Sequence, residues 1–218
     1  MADLITDYDS LLATFENYVA RPDLGEFFPN FVQAAEAFFN RKLRTRDMQG
    51  VANLSAVAGQ PGSYALPADF LEWVGAQYTA ASSRPLMLRY VEPDSPEFRH
   101  RYRPNGAPQY FTVFGDQLQT RSTQAGAVAL TYYKRIDGLT SIKKTNFLIT
   151  LAPELYLYAV MAESYRFQKD GDRSEFWSQK ANEHLAALMG QADTAKTGRR
   201  PGRTAEDTAE ALARNNAN

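Results

Sequence analysis

Side chains capable of acid–base or ligand chemistry are few in this chain, and they are scattered. Asp69 stands in the stretch YALPADFLEW (64–73) between two apolar runs. A carboxylate there would act as a general acid or base if a second group faced it across a shaped pocket. Pro67 two residues earlier supports the plainer reading: a structural turn between strands, with Asp69 hydrogen-bonding a nearby backbone N–H. Glu92 and Asp94 form another carboxylate pair, but Pro93 and Pro96 mark an exposed loop. His100 and His184 are isolated, with no HExxH, His-x-His or GxSxG around them, which is the pattern of surface histidines. Asp170-Gly171-Asp172 invites calcium, yet an EF-hand loop needs an oxygen ligand at its fifth position and a glutamate at its twelfth. Counted from Asp170, the twelfth residue is Ala181, so a solvated helix–helix turn fits better. Gly59–Gly62 lacks the lysine of a phosphate loop and leads toward a strand. With no cysteine, disulfides, thiolate zinc sites and cysteine nucleophiles are excluded. The residues point to no catalytic centre, no metal and no cofactor.

Charge offers one local feature. The net charge of −1 gives no overall pull toward nucleic acid or an anionic membrane. Arg199, Arg200 and Arg203, however, cluster in GRRPGR (198–203). Such a run suits an acidic protein groove or DNA phosphates, and equally a tail kept soluble by its charge. After Gly190 there is a single leucine, Leu212, and no aromatic, valine or isoleucine. That composition buries too little apolar surface to offset its ordering entropy, so residues 191–218 are expected to be disordered alone. Within them TAEDTAEALAR has a cap at Thr204 and good helix formers, and is expected to fold on a partner.

The elements that must position these residues are legible from periodicity. Tyr8, Leu11, Leu12, Phe15, Tyr18 and Val19 recur at helical spacing, with Asp7 or Asp9 as cap and Arg21-Pro22 as the stop. A second helix starts at Pro29, with Phe31, Ala35, Phe38, Phe39 and Leu43 on its apolar face. Beyond residue 50 the β-leaning runs SYAL, LEWVGAQYT, PLMLRYVE, QYFTVFGDQLQTRS and AVALTYYKRI follow one another, with Gly115-Asp116 as a tight hairpin. A short exposed helix is expected near Ser95–Arg101. Helical spacing returns at Pro153 with Leu155, Tyr158, Ala159, Ala162 and Tyr165. After the 169–172 loop it continues with Phe176, Trp177, Ala181, Leu185 and Leu188, forming an antiparallel helical hairpin. The longest apolar stretch, FLITLAPELYLYAVMA, is broken by Pro153 and Glu154 and falls short of the ~20 residues of a membrane span. The opening MADLITDYDSLLATF has acidic residues where a signal peptide needs basic ones, so synthesis and folding in the cytoplasm are expected.

The expected fold class is α+β: a helical core of N-terminal helices (1–49) and a C-terminal helical hairpin (147–190). A β-rich insertion (50–146) and a flexible C-terminal tail (191–218) complete it.

Several stretches also resemble one family. PNFVQAAEAFFNRKLRTRDM (29–48) is similar to the opening signature of tailed-bacteriophage head-to-tail adaptor proteins: a proline-led helix, an Ala-Glu pair and an Asn-Arg-x-Leu-Arg exit. YALPADFLEW resembles that family's entry to its β-region, and GAPQYFTVFGDQLQT (106–120) its hairpin. The run from Leu130 to Phe167 resembles its Tyr-Tyr, Thr-Asn and Pro-x-Leu-Tyr series. The matches occur in order across about residues 24–190.

The resemblance implies a structural, non-enzymatic virion protein at the head–tail junction, made in the host cytoplasm. It implies a homo-oligomeric ring, a dodecamer, beneath the portal protein. That ring would link the capsid to the next tail component (a stopper, nozzle or tail tube protein) and line the DNA channel, touching the genome transiently and without sequence preference. It implies no membrane and no cofactor. It also implies a C-terminal extension docking on the portal, which would involve Arg199, Arg200, Arg203, Leu212 and Arg214. Two other readings compete: a virion-associated cell-wall-binding or hydrolytic module using the aromatic β-region and Asp69, and a nucleic-acid-binding protein using the three tail arginines.

Overall fold

The computed structural model describes residues 5–80, 84–100 and 106–197. In chain order the elements are α1 (Tyr8–Val19), a 3-10 turn (Pro22–Phe27), α2 (Phe28–Lys42), a second 3-10 turn (Arg46–Met48), β1 (Gln49–Val57), β2 (Gln60–Ala65), β3 (Phe70–Ala80), β4 (Leu86–Tyr90), α3 (Pro96–His100), β5 (Tyr110–Phe114), β6 (Gln117–Thr120), β7 (Gly126–Lys134), α4 (Phe147–Leu151), α5 (Pro153–Phe167) and α6 (Gly171–Thr197). They divide into two units. One is built from residues 1–46 and 136–218, the other from residues 47–135.

The helical unit is organised around α5, which buries Leu155, Tyr156, Leu157, Ala159, Val160, Met161, Ala162, Ser164 and Tyr165, almost its whole circumference. A helix apolar on all sides is a central helix. α1 contributes Tyr8, Leu11 and Phe15; α2 contributes Phe28, Phe31, Val32, Ala35 and Phe39. Edge-on and tilted ring pairs join them: Tyr8–Phe28 at 5.2 Å, Phe15–Phe28 at 5.2 Å and Phe39–Tyr156 at 5.1 Å. Asp7 caps α1 by accepting the Ser10 N–H at 2.9 Å, while the Ser10 hydroxyl accepts the Asp7 N–H. These hydrogen bonds hold the Asp7 carboxyl below its ordinary range. At the far end Ala20 turns left-handed (φ 53°) and its N–H returns to the Glu16 carbonyl. Ala20 therefore ends the helix ahead of Pro22.

The second unit is a closed barrel in the order β1-β2-β6-β5-β4-β3-β7, with β7 returning to β1. Its one parallel pair, β4 with β5, needs a crossover, which carries α3. Every strand sends residues to one interior cluster: Leu54, Tyr64, Ala76 and Tyr78, Leu88, Phe111, Leu118, then Val128, Leu130 and Tyr132. The period-two spacing of 128-130-132 is the strand alternation expected of a half-buried surface. β3 bends around the barrel through two register shifts, between Phe70 and Glu72 and between Trp73 and Gly75, each a bulge of one residue. Tyr78 closes one end: its hydroxyl donates to the Gln124 carbonyl at 2.9 Å, and its ring lies where a Cβ on Gly126 would stand, 2.5 Å away.

The expected architecture, a helical core with a β-rich insertion, is corrected here. The protein is mixed α/β, and its strands form a closed seven-strand barrel that is the principal core. The physical reason is closure. β7 pairs along nearly its whole length with β1 on one side and β3 on the other, and strand-by-strand reading of short runs does not show which strands will meet. β1 itself was not among the β-leaning runs, because QGVANLSAV buries only Leu54 fully. The expected Gly115-Asp116 hairpin is present, with φ 60° at its first residue, as a turn with glycine first requires. Two further details differ. Phe176 is 53% exposed and does not join the α6 core face, which is Ser174, Ala181 and Leu185. Residues 191–197, expected in the tail, continue α6; the rest of the tail lies outside the described residues.

Substituting Gly126→Ala is expected to destabilise the barrel by about 1–3 kcal/mol, the scale of overpacking, because the Tyr78 ring has to give way. Urea denaturation followed by tyrosine fluorescence measures this, and an unchanged midpoint would show the ring moves without cost.

Candidate functional site

The sequence gives one polar signal that its apolar stripes conceal. On α2 the buried positions Val32, Ala35, Phe39 and Leu43 share a face, and Glu36 sits in the same stripe at helical spacing. The structure shows its purpose. The Tyr156 hydroxyl donates to Glu36 Oε1 at 3.1 Å and accepts from Asn146 Nδ2 at 2.7 Å. Glu36 Oε1 also accepts the Leu139 N–H at 2.6 Å. Asn146 donates to the Asp137 carbonyl at 2.8 Å and, as the cap of α4, accepts the Ile149 N–H at 3.0 Å. One turn along α2, Asn40 Oδ1 accepts the Ile136 N–H at 2.9 Å. The Tyr8 N–H donates to the Lys144 carbonyl at 2.8 Å. The segment 136–146 is thus tied to α1, α2, α4 and α5 although it has no regular structure of its own.

Burial sets the electrostatics of this network. It raises the Glu36 carboxyl above its ordinary 4.5, against the hydrogen bonds from Leu139 and Tyr156. Burial, and then the Glu36 charge, push the Tyr156 phenol far above its usual range, so it stays a donor at any physiological pH. These groups satisfy one another, and their chemistry is that of a joint.

The barrel unit has its own joint. Pro67 and Asp69 lie in the turn between β2 and β3, where the Pro67 carbonyl accepts the Phe70 N–H at 3.0 Å. The Asp69 carboxylate accepts the Tyr132 hydroxyl at 2.9 Å, where a backbone N–H had been expected. Its main-chain carbonyl accepts the Arg135 N–H at 2.7 Å, closing the β3–β7 ladder. Phe70 stacks on Tyr132 at 5.8 Å, and burial with the Asp69 contact raises the Tyr132 phenol.

The remaining candidates fall elsewhere. Asp170 Oδ1 accepts the Arg173 N–H at 3.1 Å and so caps α6. Asp94 pairs with Arg99, and His184 lies edge-on to Tyr158 with Nδ1 3.6 Å from Glu154. His100 ends α3. Among the described residues no group of three or more His, Asp or Glu is placed to hold a metal, and no helix is long and apolar enough to cross a membrane. Arg199, Arg200, Arg203, Leu212 and Arg214 lie outside the described residues.

Both joints spend their polar groups on tying segments of the chain together. The model of the SU10 adaptor protein family matches residues 6–205, and the chain belongs to that family. The resemblance to phage head-to-tail adaptors read from its motifs is thereby borne out, and the coarse role is that of a structural phage adaptor. Comparison with curated proteins finds no match. The motif residues Glu36, Asn40, Asn146 and Tyr156 all meet in the first joint, and Asp69 and Tyr132 in the second.

Tyr156→Phe removes the link between Asn146 and Glu36 and is expected to cost about 1–3 kcal/mol, the scale of an unsatisfied buried group. Because the folded Glu36 carboxyl is raised above 4.5, its contribution is fully present below that pH and is lost as pH rises through the folded value. Glu36→Gln should therefore flatten the decline above pH 4.5 in urea midpoints, and an unchanged decline would assign it to other carboxylates. In the barrel, Asp69→Ala and Tyr132→Phe should each cost about 1 kcal/mol and be non-additive in a double-mutant cycle. Additive losses would show the hydrogen bond contributes nothing.

Proposed function

We propose that this phage adaptor assembles as a homo-oligomeric ring beneath the portal protein, joining the capsid to the next tail component and lining the DNA channel. The observation that carries this reading is the family match, which runs through both units of the chain. Ring assembly needs heterologous contacts, in which one surface of a subunit meets a different surface of its neighbour. Each unit supplies a set of exposed large apolar side chains. On the helical unit these include Tyr18, Phe27, Phe167 and Phe176; on the barrel, Val51, Met87 and Phe114. Aromatic residues are enriched where subunits meet. A net charge of −1 suits a conduit, since strong positive charge would retain DNA.

On this reading the three tail arginines and Leu212 engage the portal, and the tail makes assembly sequential, its groove existing only once the portal ring has formed. Twelve copies would match a dodecameric portal, and contact with the genome would be transient. The protein acts by position, and catalysis has no part in the role.

Purified protein mixed with portal rings and imaged by electron microscopy is expected to give rings seated on the portal. A truncation lacking residues 198–218 should lose most of that occupancy. Bare portals with the intact chain would overturn the reading.

A further inference from the structure

One groove on the helical unit has no part in either joint. It lies between α2, α5 and α6 and encloses about 230 Å³. Its floor is four buried alanines, Ala35, Ala159, Ala162 and Ala181. Phe38 forms a wall, with the Lys42 ammonium 4.8 Å over its ring. Two cations stand along it. Arg166 is held by Glu163 at 2.6 Å, whereas Arg41 is exposed and has no ion pair or hydrogen bond among the described residues. A small-residue floor with an apolar wall and an unpaired cation fits an apolar side chain carried on an acidic helix.

We propose that the occupant is residues 204–214 of the same chain, bound as a helix antiparallel to α6. In TAEDTAEALAR, Ala205, Thr208, Ala209 and Leu212 share one helical face, small except for a single leucine. Glu206, Asp207 and Glu210 supply the negative charge that Arg41 lacks. The tether is long enough. α6 is described as far as Thr197, about 22 Å beyond the groove residue Asn182 at ~1.5 Å per residue. Residues 198–203 can span up to about 20 Å, and the helix itself brings Leu212 back a further ~12 Å. That covers the return with length left for the turn. The free protein then keeps its own tail segment covered, and any partner of that segment must compete with the groove. This goes beyond the portal reading and is tested on the chain alone, so its failure leaves that reading standing.

The chain has no cysteine, so a pair can be introduced cleanly into the full-length protein. Asn182→Cys with Ala209→Cys is expected to form a disulfide within one chain under mild oxidation. It should do so at least about tenfold faster than the control pair Ile142→Cys with Ala209→Cys, reflecting a raised local concentration. Adding Leu212→Asp, or independently Arg41→Glu, should bring the rate down to that of the control. Cross-links between chains, a rate equal to the control, no cross-link, or indifference to both added substitutions would each overturn the proposal. Arg41→Glu changes an exposed side chain, so it keeps the test valid should another variant misfold.

Discussion

The helical unit depends on one hydroxyl. Tyr156 sits on the central helix and accepts from Asn146 while donating to Glu36. α2 is thereby fixed to α5 and to the segment before α4, 120 residues along the chain from Glu36 to Tyr156, by a group that has no solvent to fall back on. A carboxylate withdrawn in part from water is costly unless it is hydrogen-bonded, and half-buried Glu36 meets that cost by accepting from Leu139 and Tyr156. The irregular segment 136–146 gains its fixed path from this exchange. Without it, the segment's backbone groups would lack partners where α2, α4 and α5 converge.

The barrel obeys a different constraint. A closed sheet leaves no edge to manage, but closure demands that strands bend, and β3 does so with two bulges beside an aromatic cluster. Trp73 stacks on Tyr90 at 4.6 Å and meets Phe111 edge-on at 5.5 Å. Those rings pack at the bend, where the ladder is interrupted. Asp69 and Tyr132 act at the start of the same strand, where the chain turns from β2.

Much of this was legible in the residues, and the limits were physical. Periodicity placed α1 and α2, each of which buries a stripe spaced at three and four, and located α5, which is buried nearly all round, and the start of α6. The Gly-Asp hairpin and the strand AVALTYYK were equally plain. What local pattern could not supply was pairing: nothing within β7 announces that it joins both β1 and β3, so the barrel was read as an insertion of separate strands. At the joints, the motif residues were identifiable one by one, but their meeting was not. Glu36 in an apolar stripe was the available sign, since an acid at a buried helical position needs a partner. Asp69 was placed in a turn, yet its actual partner is 63 residues away in sequence, beyond any local reading.

The chain leaves the helical unit near Arg46 and returns at Ile136, and Gln49 is paired directly with Tyr133 where the two crossings begin. Entry and exit strands are neighbours. Tension applied along the polypeptide between the helices would therefore open the barrel from that end, like a zipper, one ladder pair at a time. It would first have to break Asn40 from Ile136 and the contacts of the 136–146 segment. A module whose two ends lie side by side can also be lengthened, shortened or exchanged for another of the same kind while the flanking helices keep their sequence.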